Sequence, residues 1–340
     1  MTIITALRNI IQRREILVTG GAGFIGSHLV ETLLVEGCWS VAVVDNFDDF
    51  YSPEIKRANV APHLLNPHFR LYEVDVRDAE ALRAIFDAHN FTAVVHLAAS
   101  AGVLPSLKYP NHYFDTNVNG TLNLLQCAKE FGVNQFLFGS SSSVYGLGAK
   151  VPFSESCKVS QPISPYAASK ASAELLCHTY SHLYGIRCIC LRFFTVYGPR
   201  QRPDLAIHKF TRLIHQGKPI PIFGDGTSRR DYTYIDDIID GMSAALDYNG
   251  SMYEIFNLGE SQTIQLKDLI NALEETLGRK AIIDRREQQA GDMVVTYADI
   301  SKARSSLGYK PRTQIREGIV KFVAWYLSQN GESRNLVQHL

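Results

Sequence analysis

Short apolar runs alternate with helically spaced stretches over the first half of the chain. The runs Glu15 to Thr19, Ser40 to Val44, Phe69 to Val74, Ala93 to Leu97, Gln135 to Ser140 and Arg187 to Arg192 read as strands. Near-continuous Val, Ile and Leu is the pattern of strands buried on both faces. Between them, the spacing predicts helices over Gly23 to Glu36, Ala79 to His89, Thr116 to Phe131 and Tyr166 to Tyr184. Strand, helix, strand, helix demands crossover connections, hence an α/β fold with a doubly wound parallel sheet whose ligands gather at the carboxyl ends of the strands.

After Phe193 the texture changes. Pro199, Pro203, Pro219 and Pro221, with Gly198, Gly217, Gly224 and Gly226, punctuate shorter elements, and helices return at Ile235 to Leu246, Leu266 to Leu277 and Ile315 to Gln329. This composition predicts a smaller C-terminal α/β substrate-binding cap with its cleft facing the sheet. The expected division is an N-terminal extension over 1–14, a sheet-forming domain over 15–192 to which the helix near 235–246 returns, and the cap over 193–335. The polar loop from Asn46 to Asn66 reads either as a solvated insertion or as a contact to a bound ligand.

At 340 residues, 46% hydrophobic and 20% charged, the chain is large enough for one big core or two coupled ones. Lys plus Arg and Asp plus Glu each total 34, a formal charge of zero. No global field recruits nucleic acid or an anionic membrane, so any phosphate must be held by placed groups. Cys38, Cys127, Cys157, Cys177, Cys188 and Cys190 lie scattered in apolar segments. They read as reduced core residues of a cytosolic protein, with no disulfide and no metal site. No stretch reaches the roughly 18 apolar residues of a spanning helix. Ile3 to Ile11 reads as a short amphipathic helix packed on the surface, and the expectation is a cytoplasmic protein, neither secreted nor inserted.

Chemistry enters at Ile16-Leu17-Val18-Thr19-Gly20-Gly21-Ala22-Gly23-Phe24-Ile25-Gly26, where a strand meets a glycine-spaced turn. Gly20 allows a tight turn, Gly23 lets backbone N–H groups approach a pyrophosphate at the positive end of the next helix, and Gly26 lets that helix pack against the strand. Asp45 closes the second apolar run, where a carboxylate accepts ribose hydroxyls. It repels a 2′-phosphate, and no Arg follows it immediately, so NAD is favoured over NADP. Tyr166 and Lys170 sit four residues apart at a helix start, one turn apart on one face. A neighbouring ammonium and a positive nicotinamide ring would bring a phenol from its usual pKa of about 10 toward neutrality, where it can take a proton from a sugar hydroxyl. Ser140, Ser141, Ser142 and Ser143 end a strand and offer hydroxyls to the reacting oxygen. A Tyr four residues before a Lys, or a serine run, is common by itself; position in one cleft gives them meaning.

Together with His96-Leu97-Ala98-Ala99 and Arg229-Arg230-Asp231-Tyr232-Thr233-Tyr234-Ile235-Asp236-Asp237, these motifs resemble the extended short-chain dehydrogenase/reductases, NAD-dependent epimerases and dehydratases with a Rossmann-type sheet. Among their nucleotide-sugar epimerases, the stretch from Arg192 to Ala206, with Pro152-Phe153-Ser154-Glu155 and Gln289-Ala290-Gly291-Asp292, is most similar to the UDP-glucuronate 4-epimerases. The resemblance covers nearly the whole chain from Glu15 to Trp325. It implies bound NAD, a UDP-sugar substrate and a homodimer whose contact uses the helices near Thr116 to Phe131 and Tyr166 to Tyr184.

By residue, the resemblance implies Tyr166 as base, Lys170 as its partner and holder of the nicotinamide ribose, and Ser141 and Ser142 as contacts to the reacting sugar. Gly20, Gly23, Phe24, Ile25, Gly26, Asp45, Asn46, Asp75, Val76, Leu97, Ala98, Ala99 and Ser140 line the cofactor. Ser143 lies beside the sugar, Arg230 meets the diphosphate, Asp292 the uridine ribose, and Thr195 with Arg202 the uronate end. Leu104 departs from the pattern, standing where glucuronate epimerases usually carry arginine, and leaves UDP-glucose or UDP-N-acetylglucosamine as alternatives, then UDP-glucuronate decarboxylation. An NAD-sensing binding protein is the alternative outside enzymes. Ser142-Ser143 replaces the Asp-Glu pair of the dehydratases.

Overall fold

The apolar run near the start forms β1 (Arg14–Thr19), an interior strand of a seven-stranded sheet in the computed structural model, which describes residues 13–147, 149–287, 293 and 295–332. There follow α1 (Phe24–Glu36), β2 (Trp39–Val44), α2 (Pro53–Val60), β3 (Phe69–Tyr72), α3 (Ala79–Asp87), β4 (Phe91–His96), α4 (Val103–Lys108), α5 (Pro110–Phe114), α6 (Gly120–Glu130), β5 (Gln135–Ser141), α7 (Pro165–Tyr184) and β6 (Arg187–Phe193). The second half holds β7 (Thr195–Tyr197), α8 (Ala206–His215), β8 (Pro219–Phe223), β9 (Arg229–Arg230), β10 (Tyr232–Tyr234), α9 (Ile235–Leu246), β11 (Tyr253–Leu258), β12 (Ile264–Gln265), α10 (Leu266–Leu277), β13 (Ile282–Arg286), α11 (Ser301–Leu307) and α12 (Ile315–Gln329).

The main sheet runs β3-β2-β1-β4-β5-β6-β11 with every neighbouring pair parallel. Strand order reverses between β1 and β4, which opens a crevice at their carboxyl ends. One apolar core lies under α3, α6 and α7, through Leu82, Phe86, Leu124, Leu125, Ala173 and Cys177. The other lies under α1 and α9, through Leu29, Leu33, Ile238 and Met242, and continues into the second half through Phe210, Ile214, Leu269 and Phe322.

Local chemistry sets the element ends that matter for function. Ser164 Oγ accepts the Ala167 N–H at 3.1 Å and Pro165 opens α7, a well-capped helix start that puts Tyr166 in the first turn. Gly185, at φ 68°, stops the same helix in the left-handed region.

Several expected boundaries shift. The loop from Asn46 to Asn66 contains α2 and a following turn of 3₁₀ helix at Ala61–His63. Only Lys56 and Val60 of α2 are buried, so it carries no apolar stripe to betray it. The helix expected over Thr116 to Phe131 is broken: Asp115–Asn119 forms a π turn between α5 and α6. The wide turn accompanies bonds from the Asn117 side chain to both the N–H and the carbonyl of Ser100, at 2.8 and 3.0 Å. The chain also crosses back more than expected, because β11 joins the main sheet as well as α9 packing on it. All six cysteines are free, yet Cys38 and Cys157 are only half-buried. No helix among the described residues is long and apolar enough to cross a membrane. The helix expected at Ile3 to Ile11 and the motif Gln289 to Asp292 lie outside the described residues.

One buried ion pair ties α7 to the sheet. Arg192 on β6 and Glu174 on α7 are 1% and 3% exposed and bond through Nε at 2.9 Å and Nη2 at 2.7 Å. Glu174 also accepts from Ser140 Oγ at 2.6 Å. Glu174→Ala leaves the Arg192 cation buried and uncompensated, and should cost about 3–5 kcal/mol. Urea unfolding of the purified variant measures this, and a loss below about 1 kcal/mol, the range of an exposed pair, would show that the pair does not hold the helix.

Candidate active site

The carboxyl ends of β1, β2, β4 and β5, with the segments after β6, enclose a cleft of about 690 Å³. Gly20, Gly23, Phe24, Ile25, Gly26, Asp45, Asn46, Asp75, Val76, Leu97, Ala98 and Ala99 line it from the strand ends and α1. Ser140, Ser141, Ser142, Ser143, Tyr166 and Lys170 line it from β5 and α7, while Thr195, Arg202 and Arg230 close it from the C-terminal half. Asp292 lies outside the described residues.

At the strand-end side the backbone has no room for side chains. Gly20 sits at φ +69°, and a Cβ there would come 2.7 Å from the Ala98 nitrogen; a Cβ on Gly26 would come 2.2 Å from the Gly20 carbonyl oxygen. Gly23 caps α1 without a side-chain bond, and no acid stands in the first turn. The positive helix end therefore faces the cleft uncompensated, ready for an anion. Asp45 is 8% exposed and accepts N–H bonds from Ala22 and Phe47, both at 3.0 Å. Burial raises its pKa, and its oxygens keep further lone pairs for hydroxyl donors. Asn46 Nδ2 donates to Asp75 Oδ2 at 2.8 Å, and the Arg77 guanidinium holds the Asp75 carboxyl down to about 2. A glycine cradle, a free helix start and a ribose-facing acid are the donor set a dinucleotide requires, so the residues present fit NAD.

The middle of the cleft is built by β5 and α7. Lys170 Nζ donates to the Gly139 carbonyl at 2.7 Å and lies 4.7 Å from the centre of the Phe138 ring. Its amino group thus turns toward β5. Burial raises the Tyr166 phenol above 10, and the groups that oppose this are the Ser141 hydroxyl, hydrogen-bonded to it, and the charge of Arg202. Ser141 Oγ itself reaches Ser143, donating to its Oγ at 3.1 Å and accepting its N–H at 3.2 Å.

The far wall is built around Arg202. Its Nε and Nη2 donate to Asp204 Oδ1 and Oδ2 at 3.0 and 2.8 Å, and its guanidinium lies 5.3 Å from the Phe50 ring centre. Arg230 is half-buried on β9, and its Nη1 donates to the Arg229 carbonyl at 3.0 Å. Asp48, Phe50, Tyr51, Lys56 and Tyr113 also line the cleft, and sequence reasoning missed them. Tyr113 packs edge-on to Tyr166 with ring centres 6.2 Å apart, and burial pushes its phenol to about 12. Phe50-Tyr51, large aromatics inside a polar segment just before Pro53, were the available signal.

Residues 16–259 match the model of the NAD dependent epimerase/dehydratase family. The chain belongs to that family. A UDP-glucuronate 4-epimerase of Thermodesulfobacterium geofontis is 46% identical over 310 residues, 91% of this chain and 95% of that protein. The crystal structure of a Bacillus cereus UDP-glucuronic acid 4-epimerase, in complex with UDP-glucuronic acid and NAD, superposes with a TM-score of 0.88 at 36% identity, covering 93% of this chain and 99% of that one. A Thermotoga maritima UDP-glucose 4-epimerase with UDP-glucose gives a TM-score of 0.85 at 34% identity, with coverage of 93% and 99%.

Burial works against the Lys170 ammonium. Burial lowers its pKa from 10.5 to about 8. A base with a lowered native pKa weakens the fold wherever the unfolded chain keeps its proton. The penalty is complete below about pH 8, about 3 kcal/mol by that shift, and fades as pH rises through 10.5. Lys170→Met lacks it, so the stability of the variant relative to wild type should be greatest at pH 7.5 and shrink by about 2 kcal/mol at pH 9.5. Urea unfolding at the two pH values checks this; a difference independent of pH would refute a buried ammonium.

Proposed function

We propose that this protein inverts C4 of UDP-glucuronate, interconverting it with UDP-galacturonate, using resident NAD. The observation that carries the reading is that Arg202 and Tyr166 line the same cleft, the arginine from the C-terminal half and the tyrosine from α7. It puts a cation close to the reacting carbon of a sugar whose neighbouring C5 bears a carboxylate. Similarity to UDP-glucuronate 4-epimerases over nearly the full chain supports the same assignment.

When bound, NAD would supply a reversible hydride acceptor for C4 and a positive charge that favours the phenolate. Tyr166 takes the C4 hydroxyl proton, with Ser141 and Ser142 holding the oxygen that becomes a carbonyl. Lys170 holds the nicotinamide ribose. Ser140 and the residues of the glycine turn, with Asp45, Asn46, Asp75, Val76 and Leu97 to Ala99, hold the rest of the cofactor. Arg230 grips the diphosphate and Asp292 the uridine ribose, so that the sugar can swing about its link and offer its other face. The 4-keto uronate is a β-keto acid, which loses carbon dioxide when the bond to its carboxylate stands perpendicular to the carbonyl plane. Thr195, Ser142 and Arg202, with Ser143 beside them, hold the carboxylate near that plane.

Residues 15–192, with α9 and β11, serve as the cofactor domain, and the remainder of 193–335 as the substrate cap. Leu104, uncharged and 46% exposed at the start of α4, favours UDP-glucose or UDP-N-acetylglucosamine as the second reading. Incubating the purified protein with UDP-glucuronate should yield UDP-galacturonate and little pentose; turnover of UDP-glucose but not of the uronate would defeat the substrate assignment. Tyr166→Phe should lower the rate about 10²-fold or more, and unchanged turnover would exclude it as the base.

The protein works in the cytoplasm as a homodimer on this reading. Support comes from Leu175 and Leu183 of α7, 69% and 59% exposed, with Tyr184, Phe114 and Leu107 also exposed nearby in the sequence of elements. Sedimentation should give twice the chain mass, and replacing both Leu175 and Leu183 by Glu should give the single-chain mass. A wild-type monomer would remove the dimer.

A further inference from the structure

We infer that Asp204 restrains the grip of Arg202 on the sugar carboxylate and thereby sets the balance between substrate affinity and turnover; this rests on the uronate reading above. Asp204 occupies the side-on edge of the guanidinium, taking Nε at 3.0 Å and Nη2 at 2.8 Å. That edge gives the two parallel bonds of best geometry for a carboxylate. Phe50 lies against the same guanidinium, 5.3 Å from its carbon. What remains for a ligand is the end of the fork around Nη1, on a cation already neutralised by a partner.

The chain holds this arrangement through local structure. A bond of 3.2 Å from the Leu205 N–H to the Arg202 carbonyl closes a turn just before α8, and the turn sets the Asp204 carboxylate beside the guanidinium. Arg202 lines the cleft, and the two side chains are 19% and 38% exposed, so Asp204 backs the guanidinium from the solvent side and not from the core. A sugar carboxylate arriving here competes with Asp204 and is repelled by it. The chemistry requires such a limit, because the keto sugar must leave one pose and adopt another with the UDP end still held. A free Arg202 would clamp the carboxylate through its full fork and hold the sugar in its first pose.

Removing the competitor therefore has a signature that simple loss of structure does not produce. In Asp204→Asn, and in Asp204→Ala as a second variant, KM for UDP-glucuronate should fall about tenfold, the scale of one charge-assisted hydrogen bond, and kcat should fall with it. Affinity for UDP alone, measured by calorimetry, should stay within about twofold of wild type, a difference well under 1 kcal/mol. A KM that rises or stays unchanged in both variants overturns the inference, and so does a lowered KM with full kcat. Arg202→Leu is measured in parallel. If it keeps wild-type affinity for UDP-glucuronate over UDP, the uronate reading itself fails; if it loses that preference while the Asp204 variants behave as wild type, only the role of Asp204 fails.

Discussion

The helix that carries Tyr166 and Lys170 is held to the sheet by a charge that cannot be left alone. Arg192 on β6 is almost fully enclosed, and Glu174 on α7 meets it with both oxygens. Breaking such a pair from one side strands an ion in a medium that solvates it poorly. The helix therefore keeps its rotation and height relative to β5 and β6. Glu174 also takes the Ser140 hydroxyl, so the same carboxylate locates the strand end that offers Ser141 to the phenol. One buried ion pair thus fixes the relation between the serine side and the tyrosine side of the cleft.

A second network reaches the opposite side, and its proton positions follow from bookkeeping of donors. Thr121 donates to the Asn117 carbonyl at 2.6 Å, so it must accept from His96 Nε2, 2.9 Å away. His96 Nδ1 then accepts from Thr19, at 2.7 Å, and Thr19 accepts the Ala98 N–H at 3.2 Å. Burial drives the His96 pKa down to about 3, which keeps the ring neutral with its proton on Nε2. Asn117 continues the chain through Nδ2 to Ser169 Oγ at 2.9 Å, and Ser169 bonds the Tyr166 carbonyl at 2.8 Å. Strand end, π turn and helix start are linked without a charge, through Thr19, His96, Thr121, Asn117 and Ser169, whose side-chain polar atoms all have partners.

Much of this was legible from residue order because parallel strands buried on both faces leave unmistakable apolar runs. The glycine turn, the strand-ending serines and the Tyr166 to Lys170 spacing each announced a place in the sheet, and the fold puts them in one cleft. Other features depended on contacts between distant segments. The π turn at Asp115–Asn119 accompanies the bonds of Asn117 to Ser100 and Ser169, and no local periodicity encodes it. α2 is polar over most of its surface, so its amphipathic signal is weak. The direction taken by Lys170 was equally hidden: spacing puts it on the face of Tyr166, but the Gly139 carbonyl and the Phe138 ring decide where its long side chain ends.

The C-terminal half shows how the cleft reconciles a firm hold with a loose one. Asp231 is fully buried beside Arg230, and its carboxylate accepts the N–H groups of Glu260 at 2.7 Å, Ser261 at 3.1 Å and Ala298 at 3.0 Å. Burial raises its pKa to about 6, yet these backbone donors favour the charged form and draw two segments, at Glu260-Ser261 and at Ala298, onto the residue next to Arg230. The Thr195 N–H bonds the Asp231 carbonyl at 3.0 Å, so the wall on the sugar side is registered to the same residue. Arg230 thus sits on a strand anchored by buried polar bonds, as the diphosphate role proposed for it requires. Arg202 stands in a turn at the cleft wall, with a half-exposed acid and an exposed ring as its supports. Buried polar support is denser around Arg230 than around Arg202, a contrast that suits the proposed reaction, in which one end of the substrate stays held while the ring turns.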